Sequence, residues 1–86
     1  MENSSWKTQG KALKKLFKFK NFEDAFAFMS AMAAVSKRLD HHPTWTNTYN
    51  RVDVLLTTHD SGGITDLDHQ WATMADRIYQ AIAEAY

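Results

Sequence analysis

Asn21-Phe22-Glu23-Asp24-Ala25-Phe26-Ala27-Phe28-Met29-Ser30-Ala31-Met32-Ala33-Ala34-Val35-Ser36-Lys37-Arg38-Leu39-Asp40-His41-His42-Pro43 is the stretch on which the fold turns. Within it Ala25, Phe28, Met32, Val35 and Leu39 recur at three- and four-residue spacing. Phe22, Phe26, Met29 and Ala33 form a second stripe beside them. Together the stripes predict a helix with a broad apolar face. Asn21 is suited to the N-cap, and Glu23 and Asp24 fall in the first turn, where the helix dipole favours negative charge. Lys37 and Arg38 complement the dipole at the other end. Pro43 disfavours helical backbone at His42, so the helix should stop near Leu39 or Asp40.

On both sides of this helix the period falls to two. Upstream, Trp6 to Thr8 and Ala12 to Phe19 read as strands separated by the Gln9-Gly10-Lys11 break. Downstream, Trp45, Asn47 and Tyr49 share one face of a strand, and Val52, Val54 and Leu56 share one face of the next. A tight hairpin is expected at Tyr49-Asn50, with Asn50 as the residue that best tolerates positive φ. Ser61-Gly62-Gly63 breaks the last strand. Thr65 and Asp68 resemble a capping box with Asp in place of Glu. Leu67, Trp71, Met74, Ile78 and Ala81 or Ile82 then run at helical spacing. The order is β-β-α-β-β-α, an α+β fold with a four-stranded antiparallel sheet and helices packed on one face. Residues 1–86 make a single domain.

Composition narrows the class. An apolar fraction of 44% with 13% aromatics belongs to an ordered globular chain. A core this small is marginal alone, so a homo-oligomer is expected. The absence of cysteine excludes disulfides, thiolate catalysis and cysteine-based zinc sites. No apolar run approaches the ~20 residues of a membrane span, and the N-terminus lacks the apolar core of a secretory signal. A cytoplasmic protein is the expectation. The net charge of zero hides an asymmetry, with six lysines against Glu2 in residues 1–20 and four basic against nine acidic residues thereafter. The Lys14-Lys15-Leu16-Phe17-Lys18-Phe19-Lys20 run partly alternates lysine with apolar residues, as the wet face of a strand does. Direct nucleic-acid binding is therefore not expected.

Three of the four histidines cluster where helix gives way to hairpin: His41 and His42 before Pro43, and His59 near the end of the second hairpin strand. Imidazole exchanges protons near neutral pH, so two or three around one ligand can divide acid and base duties. A dehydration or tautomerisation suits such a site, without metal or covalent intermediate. A zinc site is the rival reading, but adjacent histidines rarely bind one ion together and no HExxH pair is present. His69, inside the last helix, reads as a surface residue. Taken singly, Trp45 reads as a sheet or core residue, Asp68 as a helix cap, and Asp40 and Asp60 as solvated charges. No P-loop, GxGxxG or Ser/His/Asp arrangement supports nucleotide or acyl-transfer chemistry.

The string Lys37-Arg38-Leu39-Asp40-His41-His42-Pro43-Thr44-Trp45-Thr46-Asn47-Thr48-Tyr49-Asn50-Arg51-Val52, with Thr57-Thr58-His59-Asp60 and Thr65-Asp66-Leu67-Asp68, resembles the signature of pterin-4a-carbinolamine dehydratases. Trp6, Phe17 to Phe22 and Ala25 to Met29 extend the resemblance over nearly the whole chain. It implies dehydration of 4a-hydroxytetrahydrobiopterin to quinonoid dihydrobiopterin, with no cofactor and no metal, in recycling of the tetrahydropterin. It implies His41, His42 and His59 as catalytic residues: His59 and His41 as the acid–base pair, His42 orienting the pterin. Trp45, Asp40, Asp60 and Asp68 are assigned to substrate binding. A homodimer or homotetramer is implied. Some vertebrate relatives also act as dimerisation cofactors for transcription factors, which makes a non-catalytic binding role the alternative. Two departures stand out. Lys37 occupies a position where a glutamate is common, and with five residues before Trp6 an N-terminal helix frequent in relatives is expected to be short or absent.

Overall fold

The computed structural model describes residues 6–58 and 62–84. Strands β1 (Lys7–Gln9) and β2 (Ala12–Lys18) form a first hairpin, followed by helix α1 (Phe22–Leu39). Strands β3 (Thr44–Thr48) and β4 (Arg51–Leu56) form a second hairpin, followed by helix α2 (Asp66–Glu84). The four strands make one antiparallel sheet in the order β1-β2-β4-β3. The α+β architecture expected from the sequence is the one observed.

Alternation decides which side of the sheet the helices cover. Leu13, Phe17, Val52, Val54 and Leu56 are all buried, while Lys14, Leu16, Lys18, Arg51 and Asp53 between them are exposed. Both helices pack on the first set. Phe17 sits at the centre, its ring 4.7 Å from Phe28 of α1 and 5.3 Å from Tyr79 of α2. Lys15 points inward as well, and its ammonium is held 2.8 Å from Asp76 of α2. The Trp6 indole N–H donates to the same carboxylate, at 3.0 Å to Oδ1, which ties the start of β1 to α2.

The helix faces are narrower than the sequence pattern implies. In α1 the buried line is Ala25, Phe28, Met32, Val35 and Ser36. The second stripe stays largely outside: Phe22 and Phe26 are 41% and 55% exposed and lie against each other. A helix seated on one sheet and one neighbouring helix buries a single stripe, so the adjoining one faces water. In α2 the buried line runs through Asp68, Trp71, Ala72 and Ala75, with Met74, Ile78 and Ile82 on its flank.

The β3–β4 hairpin also corrects an expectation. Thr48 pairs with Arg51, leaving Tyr49-Asn50 as a two-residue loop, but positive φ falls on Tyr49 (52°) and not on Asn50. Tyr49 therefore belongs to the turn and is 64% exposed rather than extending the face of Trp45 and Asn47. Asn50 is held otherwise: its amide donates to the Phe19 carbonyl at 2.8 Å, and the Phe19 N–H donates to the Asn50 carbonyl at 2.8 Å. Those two bonds fasten the hairpin tip to the end of β2.

A buried polar contact joins the two helices. The Ser36 hydroxyl donates to the Met32 carbonyl and accepts from the Trp71 indole N–H, both at 2.8 Å. Ser36→Ala leaves that buried N–H without a partner, which costs about 1–3 kcal/mol. Urea denaturation should show a loss of that size, whereas Ser30→Ala at an exposed position of α1 should change stability by less than about 0.5 kcal/mol.

Candidate active site

The end of α1 aims the first histidine. Asp40 takes a left-handed conformation (φ 52°, ψ 46°). Its N–H donates to the Lys37 carbonyl at 3.2 Å, and the next N–H, that of His41, donates to the Ser36 carbonyl at 3.0 Å. These are the two bonds of a Schellman motif, which reverses the chain and turns the following residue back against the helix. Here that residue is His41, only 8% exposed. Asp40 itself stays on the surface, as does Lys37. Aspartate is among the few residues other than glycine that accept this conformation at low cost.

The start of α2 supplies the partner. Asp68 is fully buried, and its Oδ1 lies 2.6 Å from His41 Nε2. Its Oδ2 accepts from the Thr65 backbone N–H at 2.8 Å and from the Thr58 hydroxyl at 2.9 Å. The Thr65 bond is the reciprocal half of the capping box. The Thr65 hydroxyl, however, lies 2.8 Å from that of Thr58 instead of closing the box. Thr58 is further fixed by a backbone bridge to Gly63, its N–H donating at 2.9 Å. Every buried polar side-chain atom among the described residues has a partner.

The charge state follows from these contacts. Burial raises the Asp68 pKa, but the bonds from His41, Thr65 and Thr58 together outweigh it and hold the carboxyl below the usual aspartate range. An ionised carboxylate only accepts, so the facing Nε2 of His41 must carry hydrogen. In the neutral ring Nδ1 is then the basic nitrogen. The pair thus leaves one defined atom of His41 to take up or release a proton.

The other sequence-assigned residues are placed less centrally. His42 is exposed beside His41. Trp45 is half-buried on β3, its ring 6.1 Å from Trp71 in an edge-on arrangement. His59 and Asp60 lie outside the described residues. Among the described residues no group of three metal-ligating side chains is assembled. Nor is any helix long and apolar enough to cross a membrane. Sequence reasoning did not single out Ser36 or Thr58, although each shapes this region. A serine within the apolar stripe of α1, one turn beyond Met32, is the signal that marks the first. Thr58 falls within the quoted Thr57-Thr58-His59-Asp60 string, but nothing in its local pattern assigns it a contact to Asp68.

Comparison with known proteins shows the family and the fold. A sequence model of the family described as pterin 4 alpha carbinolamine dehydratase matches residues 1–78. A protein of Prochlorococcus marinus named as a putative pterin-4-alpha-carbinolamine dehydratase is 51% identical over 77 residues, covering 90% of this chain and 81% of its own. A likewise named Bordetella avium protein is 51% identical, covering 86% and 66% respectively. The crystal structure of a transcriptional coactivator/pterin dehydratase from Brucella melitensis superposes with a TM-score of 0.86 at 44% identity, covering 87% and 82%. A pterin dehydratase-like protein described as a RuBisCO assembly factor in the alpha-carboxysome gives 0.75 at 28% identity, covering 87% and 89%.

The depressed Asp68 pKa has a signed consequence. A group whose folded pKa lies below its unfolded value contributes stability that is present above the unfolded pKa and lost as pH falls through the folded one. At neutral pH, Asp68→Asn should be clearly less stable than the parent in chemical denaturation. The difference should begin to shrink below about pH 4, where the unfolded aspartate takes up its proton. A gap that stays constant down to the acid transition would contradict the assignment.

Proposed function

The chain belongs to the pterin-4a-carbinolamine dehydratase family, and on that footing we propose that it removes water from 4a-hydroxytetrahydrobiopterin to give quinonoid dihydrobiopterin. The observation that carries the proposal is the His41–Asp68 pair, with Nε2 of the imidazole committed to the carboxylate at 2.6 Å. The reaction takes a proton from pterin N5 and delivers a proton to the 4a-hydroxyl. The C4a–O bond then breaks, the N5=C4a double bond forms, and water leaves. Protons balance, so no cofactor is consumed.

In this reading His41 works through Nδ1, and His59 completes the acid–base pair. His42 and Trp45 orient the pterin, together with Asp40 and Asp60. Asp68 acts through His41: it fixes the tautomer and holds the ring in place. That role replaces a direct contact with the pterin, because all the oxygen contacts seen for Asp68 go to His41, Thr58 and Thr65. Assembly as a homodimer or homotetramer belongs to the same proposal, since it would enlarge a core marginal for 86 residues.

Stopped-flow mixing with synthetic 4a-hydroxytetrahydropterin tests the proposal. The parent should dehydrate it faster than buffer does, and chelator should leave the rate unchanged. His41→Ala and His59→Ala should each lower the catalysed rate by about 10²–10⁴-fold, the usual worth of a positioned acid or base. If either variant retains the parent rate, that histidine is not catalytic. A parent no faster than buffer would favour the alternative, a non-catalytic binding role of the kind that the words "transcriptional coactivator" suggest for the Brucella relative. The catalysed rate should also vary with pH between roughly 5 and 8, where imidazole titrates.

A further inference from the structure

The face of the sheet that the helices leave open is charged in an organised way. Strand register places three rows across it: Lys7, Lys14, Leu55 and Thr44; then Leu16, Asp53 and Thr46; then Lys18, Arg51 and Thr48. Lys7, Lys14, Lys18 and Arg51 are exposed, and none is ion-paired with a described carboxylate. Two cross-strand pairs therefore set like charge opposite like charge, Lys7 against Lys14 and Lys18 against Arg51. Such pairs destabilise a sheet. Asp53, the one carboxylate in these rows among the described residues, sits between the two cationic rows beside Leu16, which is 44% exposed.

From this pattern we infer that the open sheet face is a docking surface for an acidic, amphipathic segment of a partner protein. Lys14 and Lys18 are four residues apart on β2, so the cationic rows are about 13 Å apart. Two carboxylate clusters at that separation meet the rows, and an apolar side chain between them covers Leu16. On a helix the clusters lie about nine residues apart. Asp53 sets the register, because a third acidic group over the middle row meets like charge. A nucleic acid fits less well. Among the described residues the three rows carry no aromatic ring on which a base could stack, and Asp53 in the middle row repels phosphate.

A fluorescein-labelled amphipathic peptide, with glutamate clusters about nine residues apart around a central leucine, serves as the probe in anisotropy titrations against the full chain. The parent should bind it, with affinity falling as salt rises. Lys14→Glu/Lys18→Glu should weaken binding by about tenfold or more. Both positions are exposed, and circular dichroism verifies the fold of the variant. A control peptide with glutamine for glutamate should not bind. No binding of the acidic peptide, binding insensitive to the charge reversal, or tighter binding of a short DNA duplex to the same face would each overturn the inference. The site lies apart from His41 and Asp68, so the result stands whether or not dehydration is observed.

Discussion

One buried carboxylate organises the region where this protein's chemistry is proposed to lie. Asp68 has no exposure to solvent, and desolvation alone would favour its neutral form. Three donors reverse that preference: an imidazole from the end of α1, a hydroxyl just after β4 and a backbone N–H at the start of α2. Removing one donor from such a set leaves the buried charge less well compensated, which is costly. The junction of three elements is thus fixed by electrostatics as much as by packing.

The apolar core delivers those donors to the same place. Phe17, Phe28 and Tyr79 seat both helices on one face of the sheet. Ser36 then links the helices through Trp71 and, by its carbonyl, anchors the turn that swings His41 inward. Helix packing and histidine orientation share this one residue. A change in the seam between α1 and α2 is therefore felt at the imidazole.

Most of the architecture was legible in the residues. The helical spacing from Ala25 to Leu39, the alternation from Val52 to Leu56 and the proline after His42 specify elements that the structure contains. Side-chain patterns cannot say how wide a face the tertiary contacts will cover, so Phe22 and Phe26 were expected inside and lie outside. Nor do they reveal competing hydrogen bonds, which hold Asn50 to Phe19 and leave the positive φ to Tyr49. Asp68 shows the deepest form of the limit. A capping role explained it locally, while its partner lies 27 residues away and is reached only once the two helices pack. The exposed lysines likewise read as solvated until register set like charges side by side.

The central claim is that the Asp68 carboxylate commits His41 Nε2 to a donated hydrogen bond and leaves Nδ1 for proton transfer. Nitrogen-15 NMR of the histidine side chains, recorded across the titration of His41, reads this directly. The account predicts a neutral His41 protonated at Nε2 in the parent, and a mixture of tautomers in Asp68→Asn. A neutral His41 protonated at Nδ1 in the parent would contradict it.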